Sequence, residues 1–519
     1  MEGFIRRLGA AVTGVLQGFD RLRFRGTKRL LANVRGMMHY LWRRKVLLKD
    51  FKEHMLEATR LVREATEQIA LSRGRPLVYL SNPSLSKEDQ AREIARRDGV
   101  TQGLICILSS VELCRSFEIY RNAQTKQIEL QGGTRKCLHY YHYFLHPELG
   151  FGHARLQTWF PFTMHVCLNG REWLGRQMDR EGLGYVRRDN CFVGVADVGR
   201  AQALLDLQLR TDWAGTLNEI ARQANPVEPD VLGECPVEYY WSAEQSEWAT
   251  DVMFRRPGDL ARIYPGLIRH GLTAFGSKEV MRFLGRKVYA QGYGRFAGEV
   301  VSDLRERPEG LRLKHRINRN SIKMYDKQGS VLRVETTIND PWDIKVYRPK
   351  EGDAGGGKTW RYLRKGVADL YRRAQFSGSA NERYLAALGT AEDHTPLRLL
   401  TEPLCRPVKW KGKSARALNP LSPQDAALLS AVHRGEFTLN GFRNRDLRTI
   451  LYGEKDVLLP ERRRQSGAVT RKIRLLRAHG LIHKLPHTHR YQVSPAGRRA
   501  ITALLMAREA DTSKLSNAA

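Results

Sequence analysis

The hydrophobic pattern of the last hundred residues predicts three short helices followed by a hairpin. Apolar residues recur at helical spacing over residues 423–434, 440–452 and 465–479. Gly480 ends the third segment, and two alternating runs, LIHKLP and RYQVS, follow as predicted strands. This order is typical of a winged helix-turn-helix, a module that places a helix in the major groove of duplex DNA.

The third of these helices divides into an apolar side and a cationic side. Val469, Ile473, Leu475 and Leu476 are predicted to face a core. The opposite side, the arginine run ahead of the helix and the tip of the wing are predicted to contact nucleic acid. The residues concerned are Arg462, Arg463, Arg464, Arg471, Lys472, Arg474, Arg477, His487, His489 and Arg490.

Upstream of this module the pattern predicts a multidomain α/β (α+β) chain. Residues 1–74 are predicted as a basic helical region, in which LGAAVTGVLQGF is a packing helix. Residues 75–226 and 237–388 each alternate between strand-like and helical segments, which predicts two mixed α/β regions. Residues 392–422, rich in Pro, Lys and Arg, are predicted as a linker to the winged helix of residues 423–510.

The clearest β pattern is a hairpin in the second α/β region. NSIKMYDK and VLRVETTI both alternate, and a glycine falls at the turn between them. Residues two apart on a strand share one face of it. The pattern therefore gathers polar side chains on one face of each strand, namely Lys323, Tyr325 and Lys327 on the first and Arg333 and Glu335 on the second.

The YDK and LRVE blocks of this hairpin resemble an element of the replication initiators of filamentous phages and some rolling-circle plasmids. Those proteins nick DNA with a tyrosine nucleophile and a divalent metal. The resemblance implies a tyrosine nucleophile and a divalent metal. On the hypothesis that the protein processes DNA, Tyr325 is the nucleophile, Lys327 and Arg333 stabilise phosphate, and Glu335 and Asp251 bind the metal. Many of those nickases hold their metal with two histidines that flank a single hydrophobic residue. No strand-like run of this sequence contains such a triplet.

Carboxylates offer a second route to a metal site. Seven of them lie in or beside apolar segments, where a carboxylate has to be paired or functional: Glu247, Asp251, Glu299, Asp303, Glu335, Asp340 and Asp369. Three gathered at strand ends would hold Mg²⁺ or Mn²⁺ for phosphoryl transfer. Asp251, Glu335 and Asp303 are the predicted ligands, and salt bridges to the abundant Arg and Lys are the alternative.

Net charge narrows the choice of partner. The chain has 87 Lys and Arg against 55 Asp and Glu, a formal charge of +32, which favours a polyanion through counterion release. Duplex DNA is the predicted partner, and RNA is the alternative because YYHYF and RLQTWFPF offer aromatics for stacking. No apolar run approaches the roughly 20 residues that span a bilayer. Scattered cysteines without a CxxC pair indicate a reducing compartment, so we expect a bacterial cytoplasm or nucleoid.

The blocks HYYHY, RLQTWFPF, ATDVMF, KMYDKQGSVLRVE and THRY also resemble a group of bacterial proteins that occur in many genomic copies. Such multiplicity implies a mobile element. The resulting hypothesis is a DNA-processing protein that nicks, transposes or initiates replication, with the winged helix reading a site and the α/β regions acting on a nearby strand. The alternatives are a non-enzymatic DNA-binding regulator and an RNA-binding nucleoprotein component, and the oligomeric state stays open.

Overall fold

The computed structural model describes residues 1–509 except residues 83, 234, 236, 287–299, 308–309, 351–354, 390–396, 435–436, 438–440, 454–456 and 487. In chain order the strands are β1 (Val12–Thr27), β2 (Leu77–Tyr79), β3 (Gly103–Arg121), β4 (Ile128–His146), β5 (Gly150–Gln157), β6 (Met164–Asn169), β7 (Tyr185–Arg188), β8 (Cys191–Val195), β9 (Tyr240–Phe254), β10 (Val300–Arg307), β11 (Gly310–Ile317), β12 (Asn320–Lys327), β13 (Val331–Ile338), β14 (Lys345–Arg348), β15 (Thr359–Tyr362), β16 (Val408–Trp410), β17 (Lys413–Ala415), β18 (Ile482–Lys484) and β19 (Tyr491–Val493).

The helices are α1 (Glu2–Leu8), α2 (Val34–Arg43), α3 (Phe51–Ser72), α4 (Lys87–Arg97), α5 (Gly170–Arg180), α6 (Val198–Leu207), α7 (Trp213–Ala224), α8 (Glu228–Leu232), α9 (Pro257–Thr273), α10 (Ser277–Phe283), α11 (Leu370–Leu388), α12 (Leu397–Thr401), α13 (Pro423–Val432), α14 (Asn444–Tyr452), α15 (Leu459–Ala478) and α16 (Pro495–Glu509). Helix α4 begins with a side-chain cap, because the Ser86 hydroxyl accepts from the Asp89 amide at 3.2 Å. Across the described residues we find no helix with the length and apolarity needed to cross a membrane.

One mixed sheet of eleven strands organises the chain, in the order β10-β11-β12-β13-β9-β1-β6-β5-β4-β3-β2. Within this sheet β2 and β3 run parallel, and all the other pairs of neighbouring strands are antiparallel. Strand β1 pairs with β6 on one side and with β9 on the other. The predicted α/β class is therefore confirmed, but the two α/β regions predicted separately share one continuous sheet.

The helical prediction for the N-terminal region is wrong over β1. Residues 21–25 alternate strictly, with Leu22 and Phe24 buried and Arg21, Arg23 and Arg25 on the opposite side. From Val12 onward the glycine-punctuated run before them belongs to the same 16-residue strand, and glycine disfavours a helix interior. On either side of this strand the N-terminal region is helical as predicted, in α1 before it and in α2 and α3 after it.

The two faces of the sheet are covered differently. The helix-covered face packs against α2, α3 and α7 at one end and against α9, α10 and α11 at the other. There the buried Asn381 side chain of α11 donates to the carbonyls of Trp248 and Val334, at 3.0 Å each, and so joins β9 to β13. The opposite face, which we call the charged face, is covered only in part, by α4, α5, α6 and the β7–β8 hairpin.

The hairpin predicted in the second α/β region is confirmed as β12 and β13. Lys323 pairs with Glu335 and Tyr325 with Arg333 in its register. Gly329 lies in the turn with φ of 71°, a left-handed conformation that favours glycine. The side chains that the pattern gathered on one face therefore lie together on the charged face of the sheet.

The C-terminal residues build a separate small core from α13, α14, α15, the β18–β19 pair and α16. All four apolar residues predicted to face it, Val469, Ile473, Leu475 and Leu476, are buried. Helix α15 already begins at Leu459, so the arginine run of residues 462–464 lies within the helix and not ahead of it.

The predicted linker is structured where the structure describes it. Residues 397–401 form α12, and β16 pairs with β17. Leu404 and Leu418 are buried in the C-terminal core. The linker prediction is therefore wrong for residues 397–422, because these apolar side chains anchor the segment, and residues 390–396 lie outside the described part of the chain.

Candidate functional site

Three carboxylates from three neighbouring strands meet on the charged face. Asp20 of β1, Glu247 of β9 and Glu335 of β13 each offer an oxygen atom, and these oxygens lie within 4.8 Å of one another. Asp20 sits at an irregularity of β1, where the register with β9 shifts between Phe19 and Arg21. Carboxylate oxygens so close together can hold a divalent cation. We call Asp20, Glu247 and Glu335 the carboxylate triad.

Two side chains of β12 contact the triad through Glu335. The Lys323 ammonium lies 2.6 Å from Glu335 Oε1 and 3.9 Å from Glu247 Oε1. The Tyr325 hydroxyl donates to Glu335 Oε2 at 2.9 Å. Burial would lower the pKa of Lys323, but the charges of Glu335 and Glu247 raise it above its ordinary value. Lys323 is therefore charged and neutralises part of the triad.

The triad also holds a proton at neutral pH. Burial, followed by the charge of Glu335, raises the pKa of Glu247 to about 8, although Lys323 opposes this. Burial also tends to raise the pKa of Asp20, but the charges of Arg333 and Arg171 hold the pKa of Asp20 below its ordinary value. Glu247 is thus the protonated member, and a bound cation would displace its proton.

We expect this proton to make the stability of the cation-free protein depend on pH. An unfolded Glu titrates near pH 4.3, whereas Glu247 titrates near 8 in the fold. Between these values the folded state binds one more proton than the unfolded chain, so the free energy of unfolding falls as pH rises, by at most about 1.4 kcal/mol per pH unit. Denaturant unfolding in EDTA from pH 5 to 9 measures this, and Glu247→Gln should flatten the dependence. Equal slopes for Glu247→Gln and the unmodified protein would contradict it.

A buried ion-pair network contacts Asp20 of the triad. The fully buried Arg333 guanidinium donates to Asp251 at 2.5 and 2.8 Å and to Asp20 at 2.9 Å. Arg171 of α5 lies 2.9 Å from Asp251 on the other side. Two guanidinium groups therefore form ion pairs with Asp251, which lies outside the triad. Arg333, predicted to stabilise a phosphate, instead holds Asp20 in position, because its guanidinium is enclosed by protein.

The remaining predicted site residues lie away from the triad's oxygens. Lys327 is buried, with its ammonium 3.0 Å from Asp189 in the β7–β8 turn, so it fastens that hairpin to the sheet. Asp303 lies on β10 and pairs with Arg305 at 2.9 Å, outside the triad. Glu299 lies outside the described residues. Of the three predicted metal ligands, only Glu335 belongs to the triad.

Cationic side chains flank the triad on both sides of the charged face. On β1 the flanking row is Arg21, Arg23 and Arg25, and on β11 it is Arg312, Lys314 and Arg316. We call these the β1 row and the β11 row. Four strand spacings, roughly 19 Å, separate them. Burial, followed by the charges of Lys323 and Arg312, lowers the pKa of Lys314, so the β11 row is a surface that an anion would stabilise.

The histidine and aromatic runs form sheet structure. Strand β4 places His139 and Tyr141 on the charged face and His142 on the helix-covered face, because successive side chains of a strand point to opposite faces. Among the described residues no histidine belongs to a group of three close metal-ligating side chains. Tyr141 and Trp159 are buried, so the runs that were expected to stack RNA bases are largely enclosed.

Most of the cations predicted to bind nucleic acid at the C-terminus are exposed. Those exposed are Arg462, Arg463, Arg464, Arg471, Arg474 and His489, and Lys472 and Arg477 are partly exposed. Arg490 is buried and donates to the Gly441 carbonyl at 2.8 Å, so it supports the fold and does not reach a phosphate. His487 lies outside the described residues.

Sequence reasoning did not single out Asp20, and it placed the cations of the β1 row, possible phosphate contacts, in a helical region. The signal was present, because cationic and apolar residues alternate from Arg21 to Arg25, which indicates a strand. Reading the preceding residues as a helix hid this alternation. Glu247 was recognised as a carboxylate in an apolar segment, but only the pairing of β9 with β1 and β13 places it beside Asp20 and Glu335.

Comparison with known proteins identified no relative of this chain. No protein-family model, no curated protein and no solved structure matches it. Any functional conclusion therefore rests on the chemistry of the site itself.

Proposed function

We propose that this protein processes DNA for a mobile genetic element and cleaves one strand with Mg²⁺ or Mn²⁺ held by the carboxylate triad. The observation that carries the proposal is the position of the triad between the β1 and β11 rows on one face of the sheet. Phosphates of a strand laid across this face would contact the cations on either side. A metal ion bound to the triad would then contact a phosphate that lies between the β1 row and the β11 row.

Tyr325 is the proposed nucleophile. Its hydroxyl already donates to Glu335, and it lines an open pocket together with Lys323 and Arg312. Burial, followed by the charge of Glu335, raises the pKa of Tyr325 well above its ordinary value, so the hydroxyl needs a base. Glu335 accepts its proton as the oxygen attacks phosphorus and a phosphotyrosine forms. The P–O bond to the leaving nucleotide breaks, and the leaving oxygen takes a proton from water and becomes a hydroxyl end. A cation held by Asp20, Glu247 and Glu335 would stabilise the charge on the phosphate oxygens.

The C-terminal core is proposed to read the DNA site as a winged helix. Helix α13 is followed by a bridge from Phe442 to Tyr491, then by α14, α15 and the β18–β19 pair. This is the order of helices and strands in a winged helix-turn-helix, in which the last helix of the three enters the major groove. The exposed Arg471 and Arg474 on α15 supply its contacts to phosphates and base edges.

The test is a nicking assay on supercoiled DNA that carries the sequence flanking the protein's own gene. With Mg²⁺ or Mn²⁺ we expect relaxed circles and a protein–DNA adduct that survives detergent. Tyr325→Phe should bind the DNA equally well and form no adduct. Tyr120→Phe is the matched control, because Tyr120 also donates to a glutamate, Glu129 at 2.7 Å, but lies on β3 far from the triad.

Each outcome of this assay separates the parts of the proposal. Nicking without an adduct would make water the nucleophile and leave the triad's role intact. DNA binding without any nick, adduct or strand transfer would exclude the enzymatic function and favour a non-enzymatic regulator. Nicking that persists in EDTA would exclude the metal.

A further inference from the structure

Two cysteine thiols meet on neighbouring strands of the sheet, remote from the triad. The Sγ atoms of Cys114 on β3 and Cys137 on β4 lie 3.0 Å apart, and both cysteines are free. In the register of the two strands Cys114 lies opposite Arg135 and Cys137 lies opposite Glu112, so the thiols form a diagonal pair on one face. A disulfide bond is about 2.05 Å long. Small rotations of the two side chains therefore bring the sulfurs to bonding distance.

The pair lies where β3 and β4 extend beyond their other neighbours. Strand β2 pairs with residues 107–109 of β3, and β5 pairs with residues 139–146 of β4. Among the described strands, residues 110–121 and 128–138 therefore pair only with each other, as a two-stranded ribbon. Cys114 and Cys137 are each 8 % exposed. Because a ribbon paired on one side opens more readily than the interior of a sheet, small oxidants have access to the two thiols.

The two thiols differ in reactivity. A hydrogen bond from the Cys137 thiol lowers the pKa of Cys114, although burial opposes this. The charges of Arg135 and Arg155 lower the pKa of Cys114 further. The same hydrogen bond raises the pKa of Cys137, which donates it. Because the thiolate is the nucleophilic form of cysteine, Cys114 reacts first, and Cys137 is within reach of the product.

We propose that Cys114 and Cys137 are a redox-sensitive pair, which peroxides oxidise to a disulfide that crosslinks β3 and β4. The Cys114 thiolate attacks one oxygen of the peroxide, the O–O bond breaks, and the leaving oxygen takes up a proton while Cys114 becomes a sulfenic acid. The Cys137 sulfur then attacks the Cys114 sulfur, the S–S bond forms, and the S–O bond breaks. The departing hydroxide takes the Cys137 proton. Two thiols and one hydrogen peroxide thus give one disulfide and two waters.

This modification site is separate from the proposed DNA cleavage. Strands β4 and β3 lie three and four strands from β1, which carries Asp20 of the triad. Disulfides inside cells are usually transient and redox-sensing, and thiol reductants return such a pair to two thiols by exchange. Oxidation would therefore tie the ribbon together reversibly.

Thiol counting on the full-length protein tests the pair. The reduced chain has seven cysteines. Treatment with hydrogen peroxide should remove two of the seven thiols that are titratable after denaturation, and dithiothreitol should restore both. Tryptic mapping without reductant should show a crosslink between the peptides that contain Cys114 and Cys137. Tandem fragmentation then assigns the sulfur, because Cys106 shares the tryptic peptide of Cys114.

Substitutions extend the test. Cys114→Ser and Cys137→Ser should each abolish the crosslink. Cys191→Ser is the matched control and should form it normally, because Cys191 is a fully buried thiol of β8 that donates to the Arg188 carbonyl at 3.3 Å.

The mapping of the unmodified protein decides the question even if a serine variant misfolds. Retention of all seven thiols, or a crosslink that uses Cys106 or Cys405, would overturn the proposal. Oxidation of Cys114 to a sulfinic acid with Cys137 left as a thiol would overturn it as well, because Cys137 would then fail to capture the sulfenic acid.

Discussion

Glu335→Gln is expected to abolish metal-dependent DNA cleavage while leaving DNA binding intact. The substitution keeps the size of a fully buried side chain and its contact with Tyr325. It removes a charge that both attracts the cation and accepts the tyrosine proton. Because a metal contributes several kcal/mol to stabilising a phosphoryl-transfer transition state, the rate of nicking should fall by at least about a thousandfold.

Asp303→Asn is the matched control for this substitution. Asp303 lies on the same face at the β11 row, pairs with Arg305, and stands outside the triad, so its loss should leave nicking within about threefold of normal. Calorimetry with Mn²⁺ adds a readout that does not depend on activity, and only Glu335→Gln should weaken Mn²⁺ binding. If Asp303→Asn lost Mn²⁺ binding and Glu335→Gln kept it, the metal would be elsewhere.

Arg333→Met is expected to lower the free energy of unfolding more than a substitution of any other charged residue that we name. The guanidinium is fully buried and holds two buried carboxylates, Asp251 and Asp20. Removing one partner of a buried ion pair leaves an uncompensated charge, which costs about 3–5 kcal/mol. The free energy of unfolding, measured by denaturant titration, should fall by about this amount, and Mn²⁺ affinity should fall with it because Asp20 loses its support.

Arg60→Met is the control for this prediction. Arg60 of α3 also contacts two carboxylates, Glu57 and Glu64, but all three side chains are about half exposed. Solvent already screens these charges, so we expect no measurable change in stability. Equal stabilities of Arg333→Met and Arg60→Met would mean that the buried network does not support the fold.

Patterns of neighbouring residues in the sequence were enough to predict some elements of the fold. The β12–β13 hairpin follows from alternation around Gly329, because strand periodicity and a left-handed turn are both properties of neighbouring residues. The buried face of α15 follows in the same way from its helical spacing. Burial, by contrast, depends on elements far away in sequence, and it changed the roles of Arg333 and Lys327 from phosphate contacts to structural ion pairs.

The sequence by itself determined the basic charge, the hairpin with Tyr325 and Glu335, and the apolar side of α15, since each depends on residues close together in the chain. Only the tertiary structure decided which carboxylates meet. Asp20, Glu247 and Glu335 lie far apart in the sequence and converge because β1 enters the sheet beside β9, which pairs with β13. Strand pairing over such distances is set by the packing of the whole sheet, and no local pattern encodes it.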